Sequence, residues 1–232
     1  PTFVDVAAAR KFIAQYLAPT PLVHCWSLSQ QLGCDYYAKC ENLQPVGAFK
    51  VRGGINLVGQ LDAESRERGI ISASTGNHGQ SLAFAGQLFG VRVVIYGPEQ
   101  NSNPVKVAAM RALGAEVRLY GRDFDEAREE VERVGRSEGL RYVHSANEPL
   151  LIAGVGTMGL EIFDALPAVD AVIVPVGGGS GACGNALVAR HINPDVQIIG
   201  VQAAGAPACY RAWRERRVSQ EAPMETRHEG LA

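Results

Sequence analysis

The sequence predicts an α/β protein in which mainly parallel sheet is covered by helices. Three observations predict it. Short apolar runs rich in β-branched residues alternate with longer segments of helical periodicity along the chain. The runs are close to continuously apolar, as strands buried on both faces are. Two of them, 69–74 and 169–177, run straight into glycine-bearing turns that open helices, the order expected of parallel strand–turn–helix units.

Each element follows from a local signal. At the start, Thr2 and Asp5 have capping-box spacing ahead of an amphipathic helix. Strands are expected in "CDYYAKC" (34–40), "GIISAS" (69–74), "VRVVIYG" (91–97), "AEVRLYG" (115–121), "VDAVIVPVG" (169–177) and "VQIIGVQ" (196–202). Helices are expected near 49–62, 77–89, 103–112, 123–137, 149–165, 181–191 and 206–217. The last of these carries the densest basic cluster, Arg211 to Arg217, which reads as a solvated face. The chain then passes through the turn-like "SQEAPMETR" and stops at "METRHEGLA" without a closing strand or helix, so a C-terminal part is expected to be missing.

Composition narrows the function classes. The chain has 232 residues, 47% hydrophobic and 20% charged, enough for a substantial core. A net charge of −2 and the lack of a long basic run give nucleic-acid binding no electrostatic support. No apolar stretch is long enough to span a bilayer, and the first residues lack a signal-peptide core. The five cysteines (25, 34, 40, 183, 209) form no CxxC pair and no cluster with histidine, so reduced thiols in a cytoplasmic protein are expected and no metal site is assigned.

Three segments carry chemistry. In "QPVGAFKVRGG" (44–54), Pro45 and Gly47 are turn residues, and helical spacing begins after Ala48. Val51, Ile55 and Val58 set an apolar arc that Lys50, Gly54, Leu57 and Leu61 extend, while Arg52, Asn56 and Gln60 fall on the opposite face, expected to be watery. Lys50 thus projects with the oily stripe, in the first turn, where the helix dipole penalises a cation. Two readings compete: a snorkelling lysine whose head reaches water, or a desolvated amine able to form a Schiff base.

In "ISASTGNHGQSLAFAGQLFG" (71–90), a strand ends at Ala73 and a helix opens behind Ser74, Thr75, Gly76, Asn77 and His78. Two hydroxyls, unpaired helix amides and an amide side chain converge there, a combination suited to a carboxylate. His78 taken alone reads as structural rather than as a base. In "VIVPVGGGSGACGNALVARHI" (172–192), Gly177, Gly178, Gly179, Ser180 and Gly181 precede a helix. Four glycines in five residues cost more chain entropy than a tight turn requires, and their amides suit a phosphate. The dinucleotide pattern GxGxxG is matched at 179–184, but the next strand ends in Gln202 where an acid should hold a ribose, so that match is weak. Together, the lysine, the carboxylate turn and the phosphate cup suggest pyridoxal phosphate and an amino acid substrate.

The chain resembles the fold-type II pyridoxal-phosphate enzymes of the threonine/serine dehydratase and serine racemase group. The resemblance is carried by "TPLVHCWSLSQQLG" (20–33), "KCENLQPVGAFKVRGG" (39–54), "SASTGNHGQSLA" (72–83), "IAGVGTMGLEI" (152–162) and "PVGGGSGACG" (175–184), in that order. It implies a tryptophan synthase β-like fold of two lobes, a large one from 1–65 and 146–232 and a small mobile one from 66–145. Lys50 would be the Schiff-base lysine, Phe49 would pack on the pyridine ring, and Asn77 would bond its phenolic oxygen. Gly177, Gly178, Gly179, Ser180 and Gly181 would cradle the phosphate. Ser74, Thr75, Gly76 and His78 would bind the substrate carboxylate, with Asn147 facing them.

The implied reaction is dehydration of L-threonine, L-serine or a related β-hydroxy amino acid to a 2-keto acid and ammonia, in a homodimer. Rival readings are a racemase with Thr75 as the second catalytic group, a β-replacing synthase, and a module that binds cofactor or amino acid without turnover. "GNHG" favours the dehydratase–racemase branch, since synthases resemble "GNTG" there. The chain departs from the family pattern at Ala48 (commonly serine), Val155 (commonly glutamine) and Ser180 (the fourth glycine of the cup). Gln202 and Ala208 stand where the family's divalent-cation site uses acids, which puts that metal site in doubt. The family's partner for the pyridine nitrogen lies beyond Ala232.

Overall fold

The computed structural model describes residues 1–100, 102–217, 225, 226 and 230. The chain begins with α1 (Phe3–Ile13), and the Thr2–Asp5 capping box forms as its spacing demands. A short antiparallel pair follows, β1 (Leu22–His24) and β2 (Tyr37–Lys39), with α2 (Trp26–Leu32) between them. After a 3-10 turn at Glu41–Leu43 comes α3 (Lys50–Gly59), then the short α4 (Ala63–Arg68).

A four-stranded parallel sheet comes next, built from β3 (Ile70–Ala73), β4 (Val93–Gly97), β5 (Glu116–Leu119) and β6 (Arg141–Tyr142) in the order β5-β4-β3-β6. Its connections are α5 (Asn77–Phe89), α6 (Pro104–Ala112) and α7 (Phe124–Glu138). Ile70 and Ile95 face a core shared with Leu82 and Met110, whereas Ile71, Ala73, Val94 and Tyr96 face Ala127, Val131 and Val134 of α7. Both faces of β3 and β4 are covered, which is why those two read as nearly continuous apolar runs, whereas the edge strand β5 exposes Glu116 and Leu119. The chain then forms α8 (Pro149–Ala165), β7 (Ala171–Pro175), α9 (Ser180–Ile192), β8 (Gln197–Val201) and α10 (Ala208–Glu215).

The largest apolar cluster joins α1, α3, α5, α8 and α9. The backbones of α3 and α8 approach closely: a Cβ on Gly154 would lie 2.6 Å from the Arg52 carbonyl oxygen. This places α3 under cover on all sides.

Three expectations need correction. Arg52 and Asn56 do not face water; each is 1% exposed. Their polar groups find partners inside: Asn56 Nδ2 donates to the Leu150 carbonyl, and the Arg52 guanidinium lies between Glu41 and Glu161. Only Gln60 of that trio is exposed. The pair β7–β8 is not buried on both faces either. Val174 is buried and Val172 half-buried, on the face that α9 covers, but Ile173 is 56% exposed and Ile199 and Val201 are exposed with it. The strand at 34–40 is short and antiparallel to its partner, not part of a parallel sheet. The basic cluster lies on and just after α10 and is exposed at Arg211, Arg214, Arg216 and Arg217. Most of the "SQEAPMETR" stretch lies outside the described residues.

Candidate active site

The glycine segment leaves β7 at Pro175 and enters α9 at Ser180. Gly179 has φ +87°, a conformation that an L side chain enters at a cost of roughly 1–2 kcal/mol. The segment is packed from outside. A Cβ on Gly178 would stand 3.0 Å from Ala146 Cβ, and one on Gly181 would stand 3.2 Å from the Phe49 ring. The result is a shallow backbone cradle at the positive end of α9, with Phe49 as one wall.

Lys50 opens α3 and reaches into this cradle. Its Nζ donates to Ser180 Oγ at 2.8 Å and to the Ser145 carbonyl at 3.1 Å, and it lies 5.7 Å from the centre of the Phe49 ring. Burial disfavours the charged amine and lowers its pKa to about 8. Of the two sequence readings, the desolvated amine is the one the geometry supports, since its acceptors are an internal carbonyl and a buried hydroxyl.

The second turn sits against the same helix. Ser81 Oγ donates to the Lys50 carbonyl at 2.6 Å, and Asn77 lies one turn earlier on the same face of α5. Ser74 braces the turn: its hydroxyl accepts from the amides of Gly76 (3.1 Å) and Gly79 (2.9 Å). Gly76 occupies the cap position. Thr75 and Asn77 are half-buried at the mouth of the turn. His78 turns away into the sheet. Its Nε2 lies 3.0 Å from Ser72 Oγ, whose proton is given to the Val143 carbonyl at 2.7 Å. Nε2 is therefore the protonated nitrogen, and Nδ1 is a buried acceptor without a hydrogen-bond partner among the described residues. Burial, then the nearby charges of Lys50 and His144, lower the ring's pKa to about 3. The His78 side chain is a neutral structural group.

Asn147 is exposed, in a turn held by His144, whose Nδ1 accepts from the amides of Ala146 (3.1 Å) and Asn147 (2.9 Å). That turn supplies the Ser145 carbonyl to Lys50. Sequence reasoning missed two participants. One is the Ser145 carbonyl, a backbone group with no residue signature. The other is Lys106 of α6, whose side chain crosses Gly76: a Cβ there would stand 2.9 Å from Lys106 Nζ. A cation beside the amides of the α5 terminus strengthens the turn's preference for an anion.

These residues fit pyridoxal phosphate: a buried amine for its aldehyde, a glycine cradle at a helix N-terminus for its phosphate, and an aromatic ring beside both. The structure brings together Lys50, Phe49, Ser180 and Gly181 by direct contact. Asn77 lies one turn before Ser81, whose hydroxyl bonds the Lys50 carbonyl, and Asn147 is exposed.

Comparisons with known proteins point to the same cofactor. The family model described as "Pyridoxal-phosphate dependent enzyme" matches residues 13–232. An L-threonine ammonia-lyase of Geobacter sulfurreducens is 41% identical over 213 residues, covering 92% of this chain and 53% of that protein. The chain thus spans about half the length of that curated relative. Among solved structures, the processed form of threonine deaminase isoform 2 from Solanum lycopersicum superposes with a TM-score of 0.92 at 36% identity, over 99% of this chain and 62% of the other. Maize serine racemase gives a TM-score of 0.92 at 29% identity, over 98% of this chain and 70% of the other.

Proposed function

The chain belongs to the pyridoxal-phosphate dependent enzyme family, and on that premise we propose that it serves a lyase acting on L-threonine, L-serine or a related β-hydroxy amino acid. The products are a 2-keto acid and ammonia; the water lost at the β-carbon is regained when the amino group is hydrolysed away. The observation that carries the reading is the Lys50 amine held by Ser180 and Ser145 at the rim of the glycine cradle. When bound, pyridoxal phosphate supplies an aldehyde for Lys50 and an electron sink for the substrate's α-carbon.

The chain's own residues do the rest. With a pKa of about 8, roughly a tenth of the Lys50 amine is uncharged at neutral pH, and in that form Nζ can accept the α-proton. An arginine at this position would stay charged and could not. Phe49 excludes water from one side of Nζ. The Gly177–Gly181 amides bind the phosphate, and the amides of the Ser74–His78 turn, with Lys106 beside them, bind the substrate carboxylate. Asn77 bonds the cofactor's phenolic oxygen, and Asn147 faces the carboxylate turn when residues 66–145 close as a small lobe over the large one.

A racemase is the second reading. It rests on the family resemblance, by which the half-buried Thr75 would offer its hydroxyl to the substrate face opposite Lys50, and on the similarity to maize serine racemase. Five unpaired cysteines suit a reducing, cytoplasmic setting, and a homodimer follows from the family resemblance. Among the described residues no helix is long and apolar enough to cross a membrane.

The test is the absorbance spectrum of the purified protein with added pyridoxal phosphate, followed by L-threonine and then L-serine. A Schiff-base band that Lys50→Ala abolishes, with 2-keto acid released, supports the lyase. Enantiomer exchange with little keto acid would transfer the assignment to a racemase. No band at all would overturn both.

A further inference from the structure

Ser180 stands where a cradle made only of glycine would present nothing but its amide. It is the first residue of α9, is 2% exposed, and its hydroxyl lies 2.8 Å from Lys50 Nζ. It does not cap its own helix, and the preceding Gly179 offers no side chain to do so. We infer that Ser180 is a positioning residue: its hydroxyl, with the Ser145 carbonyl, fixes the direction in which Lys50 presents its amine and helps to retain the proton there. The inference deepens the proposed function and rests on Lys50 being the reacting amine.

A neutral amine has two N–H bonds and one lone pair. With one N–H aimed at the Ser145 carbonyl and the other at Ser180 Oγ, the lone pair has one remaining direction. A hydroxyl has one proton and two lone pairs, so Ser180 can accept from Lys50 and still donate its own proton to an oxyanion in the cradle. One side chain thereby links the amine to the anion site. Both acceptors also favour the ammonium over the amine, opposing the burial that disfavours it. Removing the hydroxyl leaves a buried amine with a single acceptor, free to turn about its last torsion.

The experiment measures Lys50 itself, without cofactor. Purified protein is treated with formaldehyde and cyanoborohydride from roughly pH 6 to 10, and methylation of Lys50 is quantified by peptide mass spectrometry. In the native protein the midpoint is expected near 8. In Ser180→Ala it is expected about one pH unit lower, the size of one hydrogen bond to a charged group. Ser180→Gly removes the same hydroxyl with a different backbone preference and is expected to shift the same way. In the enzyme carrying its cofactor, Ser180→Ala is expected to lower kcat about tenfold and leave KM within about twofold, since orientation and not binding is lost.

A midpoint unchanged within about 0.3 unit in both variants overturns the inference, because a merely structural serine would alter melting and not the Lys50 titration. The two readings fail separately. A shifted titration in a protein that forms no pyridoxal-phosphate band would sink the lyase and keep the positioning role. A normal band with an unshifted titration would do the reverse.

Discussion

Replacing Arg52 by methionine should cost more than any surface change in this chain, and the structure sets the amount. The guanidinium uses all five N–H groups: Nε and one Nη2 hydrogen reach Glu41 (2.8 and 2.7 Å), Nη1 and the other Nη2 hydrogen reach Glu161 (2.6 and 2.8 Å), and Nη1 also reaches Thr157 (3.1 Å). Lys39 completes a balanced group by donating to Glu161 at 2.5 Å. Methionine fills much the same space but leaves the buried Glu41 and half-buried Glu161 carboxylates facing one ammonium. Breaking a buried pair in this way costs about 3–5 kcal/mol. Against a typical total of roughly 5–15 kcal/mol, that is a fall in melting temperature of about 6–20 °C for a chain of this size. Arg122→Met, which removes an exposed pair with Glu126, should cost at most about 1 kcal/mol.

The assay is urea unfolding of both variants at pH 7 and again at pH 5. The sign of the pH effect is the sharper test. Burial acts to raise the Glu161 pKa, but hydrogen bonds from Arg52 and Lys39 outweigh it and hold it below the ordinary value. A carboxyl lowered by folding stabilises the native state above its unfolded pKa, and that stability is lost as pH falls through the folded one. Without Arg52, burial wins and the pKa rises, so acidification should relieve the variant and narrow its gap to the native protein. A loss under about 1 kcal/mol at pH 7, or a gap that widens toward pH 5, would refute the reasoning.

Acid should also act through His78. Its pKa of about 3, lowered first by burial, lies below the unfolded value of 6.5, so the unfolded chain takes the proton first and stability is lost as pH falls from 6.5 toward 3. The full effect is about 5 kcal/mol, and His78→Gln should flatten that limb when unfolding free energy is measured between roughly pH 7 and 4; parallel curves would exclude it. Gly54→Ala should push α3 from α5, because the new Cβ would stand 2.3 Å from Ser81 Oγ and 2.6 Å from the Ser81 carbonyl oxygen. Ser81 cannot swing aside without losing its bond to the Lys50 carbonyl. About 1–3 kcal/mol of stability and a weaker pyridoxal-phosphate titration are expected together, and a variant that matches the native protein in both would show that the interface yields.

How much was legible depended on how local the cause was. The bounds of α5 and α8 follow from short-range periodicity, and the Thr2–Asp5 box from a three-residue spacing. β1 and the two-residue β6 are too short to impose a pattern, and nothing local to 34–40 reveals that its strand pairs antiparallel. Arg52 was misread because amphipathic reasoning sends every charge to water. Its partners Glu41 and Glu161 lie 11 and 109 residues away, beyond any window. The site divides in the same way. Lys50, the Ser74–His78 turn and the glycine cradle each announce themselves by composition. Their meeting does not, since Ser180 is 130 residues from Lys50 and the Ser145 carbonyl belongs to no residue type.

Lys50 and Arg52 are two residues apart on one helix, both cations and both removed from water, yet the protein treats them in opposite ways. Arg52 is given two carboxylates, and although burial works against its charge, those partners raise its pKa and pin the proton permanently. Lys50 is given a carbonyl and a hydroxyl, which accept hydrogen bonds but carry no charge, so burial prevails and its pKa falls to about 8. The distinction between a cation that holds the fold and one that can do chemistry thus lies in its acceptors, not in depth of burial. The dependence is also directional. Arg52 clamps the back of α3 to Glu41 and to Glu161 of α8, which keeps the front of the same helix, and Lys50 with it, aimed at the cradle. A fault in the clamp should therefore reach the amine through geometry before it reaches it through charge.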